Sequence, residues 1–457
     1  MDAIDQMGSN NIENLMGGLA AASAAPRRHA SRRNSLLGAY VALLLFMFIY
    51  CARPEDWIPG MSDAPLAKVA AILALLALVF SLQHVCQRFP REIYCLALLI
   101  GQLFVAAALS PVWRGGAFQA TVTFAKVLVL IIVMVVAVNS ARRLRLLIFT
   151  QAASVAAIAT VTLLKGHLVQ GRLTGIFEGN YSDPNDLALA FVISIPLCLA
   201  LLFLTRSWIW KAAWLSAILV MIYGIFLTGS RGGFLALTVT AVVCLWEFAI
   251  RGRRTYLLVF AAVLGMIMVQ SSGEMLTSRL KGTFDIKDNT ATSYDSSQQR
   301  QALFWRSVEV SKEHPLFGVG AGNFKALSGN WHVTHNAYTQ MSSEGGIPAL
   351  ILFVFILWSG FKNVAATKRL ANKRGETNLL AKALHASLVG YVIGACFLSV
   401  ATGFFCYFLV NYTTVLLLIA KEYDSQCEEQ RSLRKRKADG ETLDSLRGAI
   451  DSVVFLS

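Results

Sequence analysis

Long apolar runs alternate with short polar connections along nearly the whole chain, and this alternation is its dominant signal. A helix needs about 20 consecutive apolar residues to cross a bilayer core. Runs of that kind predict spans near 36–52, 65–83, 93–111, 122–140, 146–164, 186–205, 208–228, 233–250, 255–271, 346–362, 381–400 and 403–420. The expected fold is all-α, a polytopic bundle of about twelve membrane helices over 36–420, because a helix satisfies its own backbone in lipid. Residues 1–35 are polar and rich in small residues and read as a disordered tail, and 421–457 reads as a charged one. The first apolar run is too long and too deeply placed for a cleaved signal peptide, so it reads as a signal-anchor.

The connections carry the next layer of information. Residues 165–185 hold a turn-rich loop, and a tight one reads TGSRGG, Thr228 to Gly233. The largest connection, 272–345, is longer than ordinary loops and mixes charge with aromatics. Within it Ser297–Glu313 predicts a helix, and Pro315–Phe324 (PLFGVGAGNF) predicts a turn on three glycines. Its GVGAG lacks the Lys-Ser/Thr of a phosphate-binding P-loop. No internal repeat of the transporter kind is visible.

Composition agrees with the pattern and charge orients it. Only 15% of the 457 residues are charged, against roughly 25% in soluble proteins, and the mean hydropathy is +0.56. The net charge of +14 invites a nucleic-acid partner, but its distribution argues against one. The basic residues sit in clusters between apolar runs: Arg27 to Arg33, Arg142 to Arg145, Arg251 to Arg254, and Lys368 to Arg374. With the N-terminus inside, alternate loops place all of these in the cytoplasm, as the positive-inside rule requires. Both termini are then cytoplasmic, and the three informative loops lie outside. The eight cysteines form no C-x-x-C pair and read as packing residues.

Three residues stand out on the outer side. Arg231 sits at a membrane boundary where the charge rule disfavours it, flanked by Gly229, Gly232 and Gly233. Glycines permit close backbone approach to a ligand, and a guanidinium offers a planar fork of donors for phosphate oxygens. The competing reading is an arginine that reaches lipid headgroups. Arg172, in the 165–185 loop, is a second cation for the same anion, or a solvated loop residue. His335, in HVTHNAY, is a general-base candidate, with His332 and His314 as rivals. Asp183 and Asp186 frame a Pro-Asn turn ahead of a span and read as helix caps rather than metal ligands.

Four segments in order give a resemblance. They are RLTGIFEGNYSDPNDLA (Arg172 to Ala188), FLTGSRGGFLAL (Phe226 to Leu237), QRQALFWRSVEVSKEHPLFGVGAGNF (Gln299 to Phe324) and HNAYTQMSSEGGIPALILF (His335 to Phe353). Together they resemble the O-antigen ligase and polymerase superfamily of bacterial envelope enzymes, whose core would cover about 170–360. RPEDWIPG, Arg53 to Gly60, looks like members from exopolysaccharide systems. Where many members read E-L-G-x-x-G, this chain has Glu344-Gly345-Gly346-Ile347-Pro348-Ala349, a change that bears on how the helix begins.

The resemblance implies a GT-C-like membrane glycosyltransferase of the bacterial inner membrane, with short helices in a large periplasmic loop. It implies an undecaprenyl-pyrophosphate-linked glycan donor and an acceptor hydroxyl on a lipid A-core, a polysaccharide or a protein. Arg172 and Arg231 carry over as pyrophosphate ligands, His335 as base, and Arg300 as a further substrate-binding residue. No nucleotide and no metal are implied. A repeat-unit polymerase shares the donor chemistry and differs in acceptor. A twelve-span transporter is the rival of another class, and the near absence of ionisable residues from the predicted spans disfavours it.

Overall fold

The computed structural model describes residues 36–58, 61, 66–81, 89–166, 168–169, 172–175, 181, 183–271, 291–329, 331–371 and 375–454. The N-terminal tail 1–35 and the first part of the large loop, 272–290, lie outside these residues.

The chain folds as helices α1 (Leu37–Ala52), α2 (Pro54–Trp57), α3 (Leu66–Ser81), α4 (Arg91–Ala108), α5 (Arg114–Ala137) and α6 (Ala141–Lys165). A two-residue ladder follows, β1 (Leu168–Val169) against β2 (Arg172–Leu173), antiparallel with Val169 opposite Arg172. Then come α7 (Pro184–Leu204), α8 (Trp208–Thr228) and α9 (Arg231–Cys244), the last running on as a π-helical turn, Leu245–Ile250. The rest is α10 (Tyr256–Ser271), α11 (Ala291–Glu313), α12 (Phe324–Leu327), α13 (Ala337–Leu370), α14 (Glu376–Gly394) with a 3-10 turn Ala395–Phe397, and α15 (Phe404–Val454).

The all-helical expectation is met, and this is a multi-pass membrane protein. Among the described residues nine helices are long and apolar enough to span a bilayer, fewer than the expected count of about twelve. The other three expected spans fall on α1, α3 and α10, each of 16 residues. At 1.5 Å per residue α1, which is described past both ends, reaches about 24 Å, short of the roughly 30 Å hydrocarbon core. One further expectation changes. The large loop holds one long helix, α11 of 23 residues, besides the short α12. Its start, ATSYDSSQQ, has too few apolar positions to show helical periodicity in the sequence. The charged segment after 420 continues helix α15 as far as Val454.

Helix α7 is the centre of the bundle, with 78% of its span buried against 28% for α8. It is apolar on all sides, as a helix surrounded by other helices must be. Pro196 interrupts its hydrogen bonding, and Ser387 Oγ from α14 donates to the Ile193 carbonyl (2.6 Å) in the weakened turn. Helices α9 and α14 pack on α7, whereas α4 and α15 pack on α13.

Helix α13 is broken near its start, and the break organises the large loop. Gly346 takes φ +82°, and a Cβ there would run into the backbone of Leu316 and Phe317. Broken helices strand carbonyls that need donors. Here the glycine turn supplies them: Val319 N–H donates to the Ser343 carbonyl and Gly320 N–H to that of Glu344, both at 2.9 Å. Ile347 N–H returns a bond to the Pro315 carbonyl (2.7 Å), and Gln102 Nε2 of α4 donates to both Leu316 and Gly345 carbonyls. Gly318, Gly320 and Gly322 all have positive φ, the conformation the turn requires.

Candidate functional site

Three loops, the largest of them with its long helix α11, meet at one end of the bundle. Their frame is a buried amide, Asn185, near the start of α7. Its Oδ1 accepts from Ser230 Oγ (2.7 Å) and from Arg172 Nη2 (3.1 Å). Its Nδ2 donates to Asp183 Oδ1 (2.7 Å), which also accepts the Asn185 backbone N–H and so caps α7. The capping role expected of Asp183 is thus present, and Asp183 also faces the site.

Arg172 is placed by β2 and works partly as a clasp. Its Nε donates to the carbonyl of Thr228 (2.8 Å), one of the orphan acceptors at the C-terminus of α8. The guanidinium therefore joins the 172 loop, the start of α7 and the end of α8.

Arg231 is the first residue of α9 and is exposed. Gly229 reverses the chain in the left-handed region (φ 57°), and Ser230 caps α9 by accepting from Gly233 N–H (3.1 Å). The two glycines after Arg231 serve packing rather than ligand approach. A Cβ on Gly232 would meet Phe397 at 2.6 Å, and one on Gly233 would meet Ala188 at 2.7 Å. Their absence of side chains lets α9 start flush against α7 and the 395–397 turn, which fixes where Arg231 stands.

Arg300 reaches the site from α11 and is half-buried. Burial pushes its guanidinium down from the ordinary value, Asp183 holds it up, and Arg231 pushes it down again. It stays charged at any working pH. Two guanidiniums thus stand close enough to repel, an arrangement that an anion between them relieves.

His335 sits in the left-handed region at φ 51°, an unusual conformation for a non-glycine residue. Its surroundings hold it there. The His335 N–H donates to Ser399 Oγ (2.8 Å), Thr334 Oγ1 shares a hydrogen bond with the same oxygen (2.9 Å), and Asn336 Nδ2 donates to the Cys396 carbonyl (3.1 Å). Asn336 then caps α13 through Tyr338 and Thr339 N–H. Burial lowers the His335 pKa below 6.5, Arg300 lowers it further, Asp183 opposes this, and His332 adds a smaller lowering. A neutral imidazole, able to take a proton, results near neutral pH.

The four residues singled out in the sequence therefore lie in one linked group. Arg231 and His335 both act electrostatically on or with Arg300, and Asp183 links those residues to Arg172 through Asn185. Of the rival histidines, His332 is exposed nearby, while His314 ends the α11 turn, where its carbonyl accepts from Gly318 N–H. Asn185 and Ser399 were not legible as site residues. A Pro-Asn turn hints at the first, and nothing local marks the second, 64 residues from His335. A cavity of about 390 Å³ opens between Trp113, Gln119, Thr123, Phe124, Thr402 and Phe404, the last two on the segment that follows Ser399.

Residues 216–354 match the family model described as O-antigen ligase (Wzy_C). Over that stretch the chain is similar to the O-antigen ligase family. The matched stretch includes Arg231, Arg300 and His335, and Arg172 precedes it. No curated protein shows significant sequence similarity to the chain. One solved chain, from work on structural coordination of polymerization and crosslinking by a peptidoglycan synthase complex, is similar at 15% identity and a TM-score of 0.40. That similarity covers 73% of this chain and 97% of the other.

Proposed function

We propose that this protein is an inverting glycosyltransferase. It moves a glycan from an undecaprenyl-pyrophosphate donor to an acceptor hydroxyl at the periplasmic face of a bacterial inner membrane. The observation that carries this reading is the approach of Arg231 and Arg300 to each other beside a neutral His335, at one end of a membrane bundle. A diphosphate at the membrane surface is the anion such a pair suits, since each guanidinium offers a fork of donors to phosphate oxygens. Arg172, held by Thr228 and Asn185, adds positive potential and fixes the loops that bear the other groups.

The reaction follows from this placement. His335 accepts the proton of the acceptor hydroxyl as its oxygen attacks the anomeric carbon. The bond between that carbon and the phosphate oxygen breaks, and its electron pair leaves on the undecaprenyl pyrophosphate. Pyrophosphate leaves readily, so stabilisation of the departing charge by preorganised arginines matters more than a strong acid. Attack from the face opposite the leaving group inverts the anomeric centre. The cavity beside Trp113 offers the ring and hydroxyl lining that suits a saccharide acceptor.

The test is glycan transfer in membranes holding the full-length protein and a lipid-pyrophosphate-linked donor. Arg231→Ala and His335→Ala are each expected to abolish most transfer, and wild-type rates in both would end the assignment. Reporter fusions at 230 and 300 check orientation, and a cytoplasmic signal at both would remove the periplasmic site. Product length separates ligase from polymerase, since a polymerase extends the glycan by repeats and a ligase makes a single transfer.

A further inference from the structure

The far end of the α9 helix carries a second concentration of charge that glycosyl transfer does not use. Arg231 opens this 20-residue helix and Ile250 closes its π-helical extension, so the two ends stand about 30 Å apart. There the buried Glu247 carboxylate is met by Lys368 Nζ at 2.6 Å, His385 Nδ1 at 3.0 Å and Arg251 at 3.9 Å. Lys382 of α14 is only 7% exposed, and the charges of Glu247, Arg254, Lys368 and Arg251 all act on it. Among the described residues no hydrogen bond or ion pair engages the Lys382 ammonium. Lys368 and Arg251 thus pair with Glu247 directly, while Lys382 stands in the field of that carboxylate and of three cations, Arg251, Arg254 and Lys368.

Orientation by charge accounts for basic residues in exposed loops. It does not account for a buried lysine, on a helix packed in the bundle, that stands in the field of three other cations. An anion supplied from outside the chain does. An apolar lane leads to the same place. Leu235, Val242, Trp246 and Ile250 are exposed at helical spacing along α9 and its extension. The Arg251 guanidinium lies over the Trp246 ring, 5.7 Å from its centroid, and so joins the lane to the charge cluster.

We propose that this end of α9 and α14 binds the phosphate headgroup of an anionic phospholipid, with an acyl chain along the Leu235–Val242–Trp246 lane. Lys382 and Arg254 face the phosphate, and Glu247 holds Lys368 and Arg251 in position around it. The site is independent of the transfer chemistry and is read without it.

The experiment is native mass spectrometry of the full-length protein in detergent with graded phosphatidylglycerol. Each basic charge at a membrane surface contributes roughly fivefold in affinity, so Lys382→Gln with Arg254→Gln is expected to weaken binding about 25-fold. Lys382→Arg, which keeps the charge, is expected to bind as wild type. Should the double variant fail to fold, Arg254→Gln alone is expected to give the fivefold loss. Retention of wild-type phosphatidylglycerol affinity by the double variant, or by Arg254→Gln in its place, overturns the proposal. Inorganic phosphate and glycerol phosphate are the competing arms. Displacement of the lipid only by large excess supports a headgroup-plus-chain site. Equal affinity for inorganic phosphate overturns the lipid assignment in favour of a free anion.

Discussion

The two ends of the helix 231–250 concentrate charge in opposite ways. At the Arg231 end, cations arrive from separate loops and from α11, and the one carboxylate that acts on Arg300 and His335 is that of Asp183, itself tied to Asn185. At the Glu247 end, cations come from α13, α14 and the turn after Ile250, and Lys368, His385 and Arg251 close around a carboxylate that is 2% exposed. The first arrangement leaves guanidiniums repelling one another, so it gains by binding an anion and by stabilising one that forms. The second already holds an internal counter-ion, so its geometry is fixed whether or not a ligand is bound. Loops deliver groups from many parts of the chain to one point, whereas helix sides deliver rigid ones.

That contrast can be broken or sharpened by substitution. The largest effect is expected at the loop end, where Arg300→Ala lowers transfer by about 10²- to 10³-fold, as for loss of one preorganised charge stabiliser, with little change in thermal unfolding. Equal loss of stability and transfer there would make Arg300 structural. At the helix end Glu247→Ala does the reverse. It strands Lys368 and His385 and lowers stability by about 3 kcal/mol, read by thermal unfolding in detergent, while transfer per folded molecule stays near wild type.

Asn185→Ala tests the frame between the loops. It removes the acceptor shared by Arg172 and Ser230, and costs about 2 kcal/mol in stability because buried donors lose their partner. It also lowers transfer, since Arg172 and the start of α9 lose their common anchor. The smallest effect is a shift in pH profile. The His335 pKa is held below 6.5, chiefly by burial and then by Arg300. Transfer therefore persists above that lowered pKa and is lost as pH falls through it. Arg300→Gln removes a positive neighbour, so the acid limb of its residual activity moves to higher pH. An unchanged acid limb would separate His335 from Arg300.

Much of the fold was legible because hydrophobic period and length report directly on helices in a membrane. Each predicted span coincides with a described helix, from Leu37–Ala52 to the start of α15. The extent of the helices was illegible where that signal is weak. The polar start of α11 and the charged continuation of α15 have no apolar stripe to show a helix. The charged members of the candidate site were legible, Arg231 because the charge rule disfavours it there and His335 as a loop histidine suited to a base. The uncharged residues that hold it were not. The glycines beside Arg231 invited a ligand-approach reading, yet Gly232 and Gly233 face Phe397 and Ala188. Which neighbour a missing side chain makes room for depends on residues far away in the chain.

The sequence by itself determined that this is a membrane protein of stacked apolar helices with arginines and a histidine in its loops. Those properties follow from local composition and spacing. Only the tertiary structure decided that Arg172 is clasped by Thr228 and Asn185, that His335 rests on Ser399, and that Arg300 comes within the field of Asp183 and Arg231. It also decided that Glu247 gathers Lys368 and His385 from α13 and α14. Each of these is a contact between distant segments. The packing of helices sets such contacts, and no short stretch of sequence encodes them.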